Sequence, residues 1–258
     1  ADTYLAKKMG LTSNMFKTIL FFAGYVMVAF LFLCSLGNAQ QRKMGSDSID
    51  NNNIGLNYLF YLPENYQINE KSDWPLLLFL HGMGERGNDL DQVKIHGIPK
   101  IVDTKRDFPF IAISPQCPLD FVWRDQEMLE ALESLLLEIV KNYRVDKSRI
   151  YVTGLSMGGR GTWAIAAHRP DIFAAAAPIC GGGNPKTASK LTTIPFWVFQ
   201  GALDKVHYPE ESEVMIQALK KEGGDVRYTL YPELHHDSWT ITYDNPDLYK
   251  WFLSKKNN

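Results

Sequence analysis

Short apolar runs recur along this 258-residue chain and predict a series of buried strands. The run at residues 74–80 is continuously apolar, which is typical of a strand buried on both faces of a parallel sheet. Further strands are predicted at residues 56–62, 110–114, 150–153, 173–179, 195–200 and 227–231.

Segments with apolar residues at helical spacing separate these strands. Residues 127–143 carry an apolar stripe with charged residues on the opposite face, which indicates an amphipathic helix. Further helices are predicted at residues 159–168, 214–221 and 247–254. Strands that alternate with helices predict an α/β fold, with a mostly parallel central sheet covered by helices on both faces.

The first 39 residues have a different pattern. Residues 19–36 are almost wholly apolar, with Lys17 before them and the small residues of 37–39 after them, as in a secretory signal peptide. An uncleaved membrane anchor is the alternative, because about 18 apolar residues can just span a bilayer. We predict a leader at 1–39, composed of a candidate extension at 1–14 and a signal peptide at 15–39. A linker at 40–55 and one domain at 56–258 follow, and the protein is expected to be secreted or periplasmic.

Composition and charge narrow the function classes. A chain of this length with 45% hydrophobic residues can bury one large core. The net charge is −2 and the basic residues are scattered, so no nucleic-acid partner is expected. The six histidines are dispersed, and neither a metal-ligand spacing nor a phosphate-binding glycine loop is present. We therefore predict no cofactor and no metal.

The pentapeptide at residues 154–158 has the form G-x-S-x-G and contains the candidate nucleophile, Ser156. In a chain with 19 glycines this pattern is weak by itself. Here it falls between a predicted strand and a predicted helix, which is the context of a nucleophile elbow. Side chains in place of Gly154 and Gly158 would collide with the neighbouring strand or helix.

A serine nucleophile needs a base and an acid that orients the base. Asp204 and His236 each follow a predicted strand, so both belong to the carboxyl edge of the sheet together with the serine. The chain order Ser, Asp, His is that of the α/β-hydrolases. Asp237 and Glu233 are alternative acids.

Two sequence neighbours compete with the favoured acid and base. Asp237 adjoins His236, which makes a side-chain bond between them geometrically awkward. His235 is the alternative base, for which a structural role is the simpler interpretation.

At these motifs the chain resembles α/β-hydrolases of a secreted esterase group. That group includes feruloyl and acetylxylan esterases and polyhydroxyalkanoate depolymerases, and its sequences are often labelled predicted peptidases. The resemblance rests on residues 80–87, 114–118, 154–163, 180–183, 201–204 and 236–239. It covers nearly all of residues 56–258, implies the α/β-hydrolase fold for this catalytic domain, and aligns the family's His-Asp-Ser-Trp pattern with His236.

The oxyanion formed during acyl transfer needs two backbone N–H donors. In this fold they come from the residue after the nucleophile, here Met157, and from the loop after an earlier strand, where Met83 is the candidate. In the same loop we expect His81 to brace the backbone. Glu85 and Arg86 are expected to form a structural ion pair, with an acidic substrate group as the alternative partner of Arg86.

Three further side chains are candidate substrate-binding residues. Trp123 and Trp239 belong to loops at the catalytic edge and could stack on a sugar or an aromatic acyl group, with loop burial as the alternative. Gln116 ends a strand at the same edge. Trp163, on the predicted helix after the serine, is expected in the core.

Cys117 and Cys180 are expected to be free thiols. In the topology implied by the resemblance, two strands separate them, a distance of about 14 Å. A disulfide requires Cα atoms within roughly 7 Å.

These observations predict a serine hydrolase of carboxylic esters. The resemblance implies small-molecule or polysaccharide-linked substrates, such as feruloyl or acetyl esters. From the predicted signal peptide we expect no stable membrane association after its cleavage. The alternatives are a peptidase of small peptides and a non-catalytic binding module on a hydrolase scaffold.

Overall fold

The structure is a computed structural model that describes residues 41–45, 54–68, 71–105 and 107–257. The predicted leader at 1–39 lies outside the described residues. In the part of the chain that is described, no helix combines the length and apolar character needed to cross a membrane.

Eight strands of the described chain form one sheet. They are β1 (Gln41–Gly45), β2 (Asn57–Tyr61), β3 (Trp74–Leu80), β4 (Ile111–Pro115), β5 (Val145–Leu155), β6 (Ala175–Ile179), β7 (Phe196–Gly201) and β8 (Val226–Tyr231). Their order in the sheet is β1-β2-β4-β3-β5-β6-β7-β8. β1 and β2 pair antiparallel with their neighbours, and all pairs from β4 to β8 are parallel. The predicted, mostly parallel sheet is confirmed.

Helices cover both faces of this sheet. They are α1 (Leu90–Val93), α2 (Gly97–Thr104), α3 (Gln126–Asn142), α4 (Met157–His168), α5 (Pro209–Lys221), α6 (Trp239–Asp244) and α7 (Pro246–Leu253). One core cluster contains buried residues of α3, α4 and α5, and a second contains those of α2, α6 and α7. The strands alternate between the two, since Leu76 and Leu78 belong to the first cluster and Leu77 and Phe79 to the second.

The first strand was not expected from the pattern. β1 lies within residues 40–55, which we predicted as a linker, and pairs with β2 along its whole length. Its Gln-Arg-Lys-Met-Gly sequence has no apolar alternation because it is an edge strand, whose exposed side chains need not be apolar. This part of the segment is therefore a strand rather than a linker.

The two cysteines of the described chain are free, as predicted. Cys117 follows β4 and Cys180 follows β6, and β3 and β5 lie between these strands in the sheet. Both thiols are buried and unbonded.

Candidate active site

The turn between β5 and α4 holds Ser156 in a strained conformation. Its backbone has φ 54° and ψ −113°, a region that costs a non-glycine residue about 1–3 kcal/mol. The Ser156 N–H donates to Ile179 O at 3.0 Å, which ties the turn to β6. A Cβ added to Gly158 would overlap Leu80 O, and one added to Gly154 would overlap Gly158 O. The two glycines are required by close backbone packing, as predicted.

Ser156, His236 and Asp204 form a continuous hydrogen-bonded chain. The Ser156 Oγ lies 2.9 Å from His236 Nε2, and His236 Nδ1 lies 2.8 Å from Asp204 Oδ2. A carboxylate only accepts, so Nδ1 carries the proton and donates it. Nε2 is then left as the acceptor for the serine hydroxyl. The structure thus brings together the three residues predicted from their order in the chain.

The Asp204 carboxylate is buried, with 2% of the residue exposed, and is fully hydrogen-bonded. Its Oδ1 accepts the backbone N–H groups of Val206 at 2.8 Å and His207 at 3.0 Å. Its Oδ2 also accepts Gln200 Nε2 at 3.0 Å. Burial raises the pKa of Asp204, but the hydrogen bonds from His236, His207 and Val206 together outweigh it, and the pKa is lowered. The carboxylate is therefore held in its charged form.

The alternative acids and the alternative base do not join this chain. Asp237 accepts the backbone N–H of Thr240 at 3.0 Å and its hydroxyl at 2.9 Å, so it caps the start of α6. Glu233 is exposed to solvent. His235 is also exposed, and its Nδ1 lies 3.0 Å from Leu203 O, which gives this histidine a structural contact.

The loops that carry the acid and the base are bonded to each other. Leu203 N–H donates to Leu234 O at 2.9 Å, and Ala202 N–H donates to Tyr231 O at 2.8 Å. Gly201 permits this approach, because a Cβ there would overlap His235 O. Residues far apart in sequence are thus fixed at hydrogen-bonding distance by backbone contacts.

The two candidate oxyanion donors occupy the first positions of helices. Met157 begins α4 and Met83 begins a 3-10 helix, Met83–Glu85, that follows β3. The first N–H groups of a helix have no acceptor within that helix and remain available to a ligand. The strands before them are neighbours, since Leu80 pairs with Gly154. The carboxyl edge therefore presents both N–H groups from adjacent loops.

His81 braces the loop that carries Met83. Its Nε2 accepts the Cys117 N–H at 3.0 Å, so the proton is on Nδ1, which donates to Gly82 O at 2.6 Å. The ring is 1% exposed, and burial lowers the pKa of His81 to about 4, helped by the nearby Arg86 charge. The imidazole is neutral, and the predicted bracing role is borne out.

Two of the three candidate substrate-binding residues are buried instead. Trp123 is 0% exposed, and its Nε1 donates to His81 O at 3.0 Å. Gln116 is 2% exposed, and its Nε2 donates to Glu85 O at 2.8 Å and Asp89 O at 2.9 Å. Both side chains satisfy backbone carbonyls of the loop after β3, so the prediction that they contact substrate is wrong.

The predicted ion pair between Glu85 and Arg86 is also absent from the described contacts. The Arg86 guanidinium donates to backbone carbonyls, to Leu119 O at 2.6 Å and Phe121 O at 3.2 Å. Glu85 is buried, with one carboxylate oxygen 3.8 Å from His81 Nδ1. The two residues are consecutive but point to different environments, so adjacency in sequence does not pair their charges.

Trp239 is the candidate that does lie beside the triad. It is half-buried, and its ring centroid is 5.2 Å from that of His236 in an edge-on arrangement. On its other side it lies 5.5 Å from the His96 ring. Trp239 therefore limits the movement of His236.

Four further residues of the site, Gln200, Ser212, His207 and Arg160, were not identified from the sequence. Gln200 donates to Asp204 and accepts the Ser212 hydroxyl at 3.0 Å. The His207 ring lies 5.4 Å from the His236 ring, and its Nδ1 is 3.0 Å from an Arg160 guanidinium nitrogen. Burial and then the Arg160 charge lower the pKa of His207, which favours a neutral ring beside the base. Two features of the sequence could have identified part of this set. Gln200 ends a predicted strand, and His207 lies three residues after Asp204.

Comparison with known proteins identifies families and enzymes that this chain resembles. Residues 119–245, which include all three members of the hydrogen-bonded chain, match the dienelactone hydrolase family. The chain is 37% identical over 84 residues to poly(3-hydroxyalkanoate) depolymerase C of Paucimonas lemoignei, covering 33% of this chain and 20% of that protein. It is 30% identical over 150 residues to a bifunctional acetylxylan esterase/xylanase of Neocallimastix patriciarum, covering 57% and 21% of the two chains.

A solved structure extends the similarity to most of the chain. The crystal structure of a thermostable esterase is 32% identical with a TM-score of 0.71, covering 85% of this chain and 63% of that one. The chain spans about a fifth of the two curated relatives named above. The predicted resemblance is confirmed: the chain has the α/β-hydrolase fold, is similar to these esterases and matches the dienelactone hydrolase family over residues 119–245.

Proposed function

We propose that this chain is a serine hydrolase of carboxylic esters, with Ser156 as nucleophile, His236 as base and Asp204 as the acid that orients it. The observation that carries the proposal is the unbroken hydrogen-bond chain through the three side chains, at 2.9 Å and 2.8 Å. A degenerate hydrolase scaffold that only binds ligands has no need of this alignment. The intact chain therefore favours an enzyme over a binding module.

In the first half of the reaction, Ser156 Oγ attacks the ester carbonyl carbon while its proton moves to His236 Nε2. Asp204 remains ionised and stabilises the imidazolium that forms. The carbonyl oxygen becomes an oxyanion, and the N–H groups of Met157 and Met83 donate to it. Loss of one such N–H donor typically lowers kcat by a factor of about 10²–10³. The C–O bond to the alcohol then breaks, and the departing oxygen takes the proton from His236.

In the second half, water replaces the alcohol. Its proton moves to His236 Nε2 while its oxygen attacks the acyl carbon on Ser156. Collapse of the second tetrahedral intermediate returns the proton to Ser156 Oγ and releases the carboxylic acid. The strained backbone of Ser156 keeps the same Oγ exposed to His236 in both halves.

The proposed substrates are acyl groups esterified to carbohydrate, such as acetyl or feruloyl groups. Similarity over 57% of this chain to the bifunctional acetylxylan esterase/xylanase supports this class. The half-buried Trp239 offers an aromatic surface next to His236 that suits an acyl group or a sugar face. A panel of methyl ferulate, acetylated xylan and aminoacyl amides would rank esters of this class against peptide-like substrates.

The proposal includes export by the leader at residues 1–39. Its support is the basic, apolar and small-residue sequence of that segment. N-terminal sequencing of the exported protein is expected to begin near Gln40. Recovery of the intact leader on a membrane-bound protein would favour the anchor instead.

The direct test is hydrolysis of p-nitrophenyl acetate by the wild type, Ser156→Ala and the control Ser189→Ala, which removes an exposed hydroxyl. We expect Ser156→Ala to fall to the background rate and Ser189→Ala to match the wild type. A fluorophosphonate probe should label Ser156, as read by mass spectrometry. A wild type as inert as Ser156→Ala would overturn the esterase proposal.

A further inference from the structure

A groove of about 920 Å³ runs along the side of α4, outside the hydrogen-bonded chain of the triad. Its walls include Arg160 near the start of the helix and His168 at its end. His168 is eight positions after Arg160 in the helix, so the groove is about 12 Å long at 1.5 Å per residue. This volume is at the upper end of the range for ligand sites, which suits a ligand longer than one ring.

One end of the groove lies close to the proposed base. The Arg160 N–H donates to Ser156 O at 3.1 Å, which places Arg160 one helical turn from the nucleophile. The Arg160 guanidinium bonds to His207 and Glu211, and the His207 ring packs 5.4 Å from His236. A ligand in the groove is therefore close enough to be joined to an ester at Ser156.

The lining of the groove combines apolar and polar groups. Leu129, Ala164 and Ala167 are apolar, whereas Gln126 and Thr187 supply hydrogen-bonding side chains. Gly182 and Gly183 also line it, and their lack of side chains lets their backbone pack closely against Glu211 and Met215. Sugar rings present C–H faces together with hydroxyl groups, so a carbohydrate matches this mixture.

The charged residues of the lining indicate which charged group a bound carbohydrate would bear. Arg160 is paired with Glu211, and so is neutralised locally. Arg124 and Lys190 also line the groove, and neither makes an ion pair with any residue that the structure describes. Of the two acids in the lining, only Glu210 makes no ion pair with a described residue, so one free acid faces these two cations. The excess of positive charge favours a carboxylate.

We infer that this groove binds the carbohydrate part of the ester substrate, and that this carbohydrate bears a carboxylate, as a uronic acid residue does. The inference rests on the proposed esterase function and names the class of alcohol that the enzyme releases. Arg124 and Lys190 attract the carboxylate, and the apolar lining contacts the ring faces.

Binding is tested on full-length Ser156→Ala, which does not consume the ligand, by calorimetric titration with an acidic xylo-oligosaccharide bearing a uronic acid and with its neutral counterpart. The acidic sugar is expected to bind more tightly. In the Ser156→Ala protein, the additional substitution Lys190→Gln weakens binding of the acidic sugar about two- to fivefold, which is the effect of one accessible ion pair. Lys186→Gln, an exposed lysine of the same 3-10 helix (Pro185–Lys190) outside the groove lining, is the matched control and leaves binding unchanged.

Kinetics give a second readout. These measurements use the enzyme with Ser156 intact. Lys190→Gln is expected to raise the ratio of KM for an acidic-sugar ester to KM for the neutral-sugar ester by the same roughly two- to fivefold factor. Lys186→Gln leaves this ratio at the wild-type value. Equal binding of acidic and neutral sugars, or equal behaviour of the two lysine variants, overturns the inference. Failure of the wild type to hydrolyse p-nitrophenyl acetate overturns the proposed function instead, and the titration does not depend on turnover.

Discussion

The buried Asp204 carboxylate accepts the Nδ1–H of His236 at 2.8 Å, although 31 residues lie between the two in sequence. This bond sets the tautomer of the imidazole and leaves Nε2 to accept the Ser156 hydroxyl at 2.9 Å. Asp237 is the nearest acid in sequence, yet both of its oxygens bind Thr240. The orientation of the base therefore comes from the distant acid.

Asp204→Asn is expected to lower kcat by about 10³–10⁴ while leaving the fold intact. An amide in this position can donate to Nδ1, which reverses the tautomer and places a proton on Nε2, where the base must accept one. The measurement is steady-state hydrolysis of p-nitrophenyl acetate, with circular dichroism as the check on folding. Asp237→Asn is the matched control and should keep kcat near the wild-type value. An equal loss in both variants would remove the assignment of Asp204 as the acid.

His236→Gln and His235→Gln separate the two adjacent histidines. Only His236 contacts both Ser156 and Asp204, so its replacement should reduce kcat to near the Ser156→Ala level. The His235 ring is exposed and contacts Leu203 O, so His235→Gln should cost at most about 1 kcal/mol of stability and keep activity. If His235→Gln lost activity and His236→Gln kept it, His235 rather than His236 would be the base.

Gly158→Ala is expected to destabilise the protein by more than about 3 kcal/mol. The added methyl group would overlap the Leu80 carbonyl, which is backbone of a buried central strand and has no room to move. Gly84→Ala is the control, because no atom lies within 4 Å of a Cβ there. The free energy of unfolding in urea measures both. Similar values for the two variants would contradict the packing argument at the elbow.

The parts of the fold that are set locally could be predicted from the sequence. The apolar run at β3 and the glycine-flanked serine after β5 each carry their signal within ten residues. The acid and the base were predictable because strand ends in a parallel sheet share one edge. The edge strand β1 was missed, because its polar side chains have no pattern that separates it from a linker.

Contacts between distant segments could not be predicted in the same way. Gln116 and Trp123 come from the correct edge, but only the folded chain shows that their polar atoms bind carbonyls of the loop after β3. The bond between Arg160 and His207 joins α4 to the loop after β7, across 47 positions of sequence. Such contacts depend on the directions of side chains, which periodicity does not determine.

The neutral, buried His81 is expected to make the protein sensitive to acid. An unfolded histidine is protonated below its ordinary pKa of 6.5, whereas the pKa of His81 in the fold is about 4. Between these pH values the unfolded chain binds more protons, so the free energy of unfolding decreases as pH falls from 6.5 towards 4. The full effect of this one residue is about 3 kcal/mol, and it is complete below pH 4.

His81→Gln tests this, because glutamine does not titrate. At pH 7 the variant should be less stable than the wild type by about 1–3 kcal/mol, owing to its poorer match to the Cys117 N–H and Gly82 O. Between pH 7 and pH 5 the difference in the free energy of unfolding between the two proteins should decrease by about 2 kcal/mol, since only the wild type loses the contribution of the neutral ring. Urea unfolding of the wild type and the variant at both pH values measures this difference. Parallel pH curves for wild type and His81→Gln would show that His81 is not the group that carries the acid sensitivity.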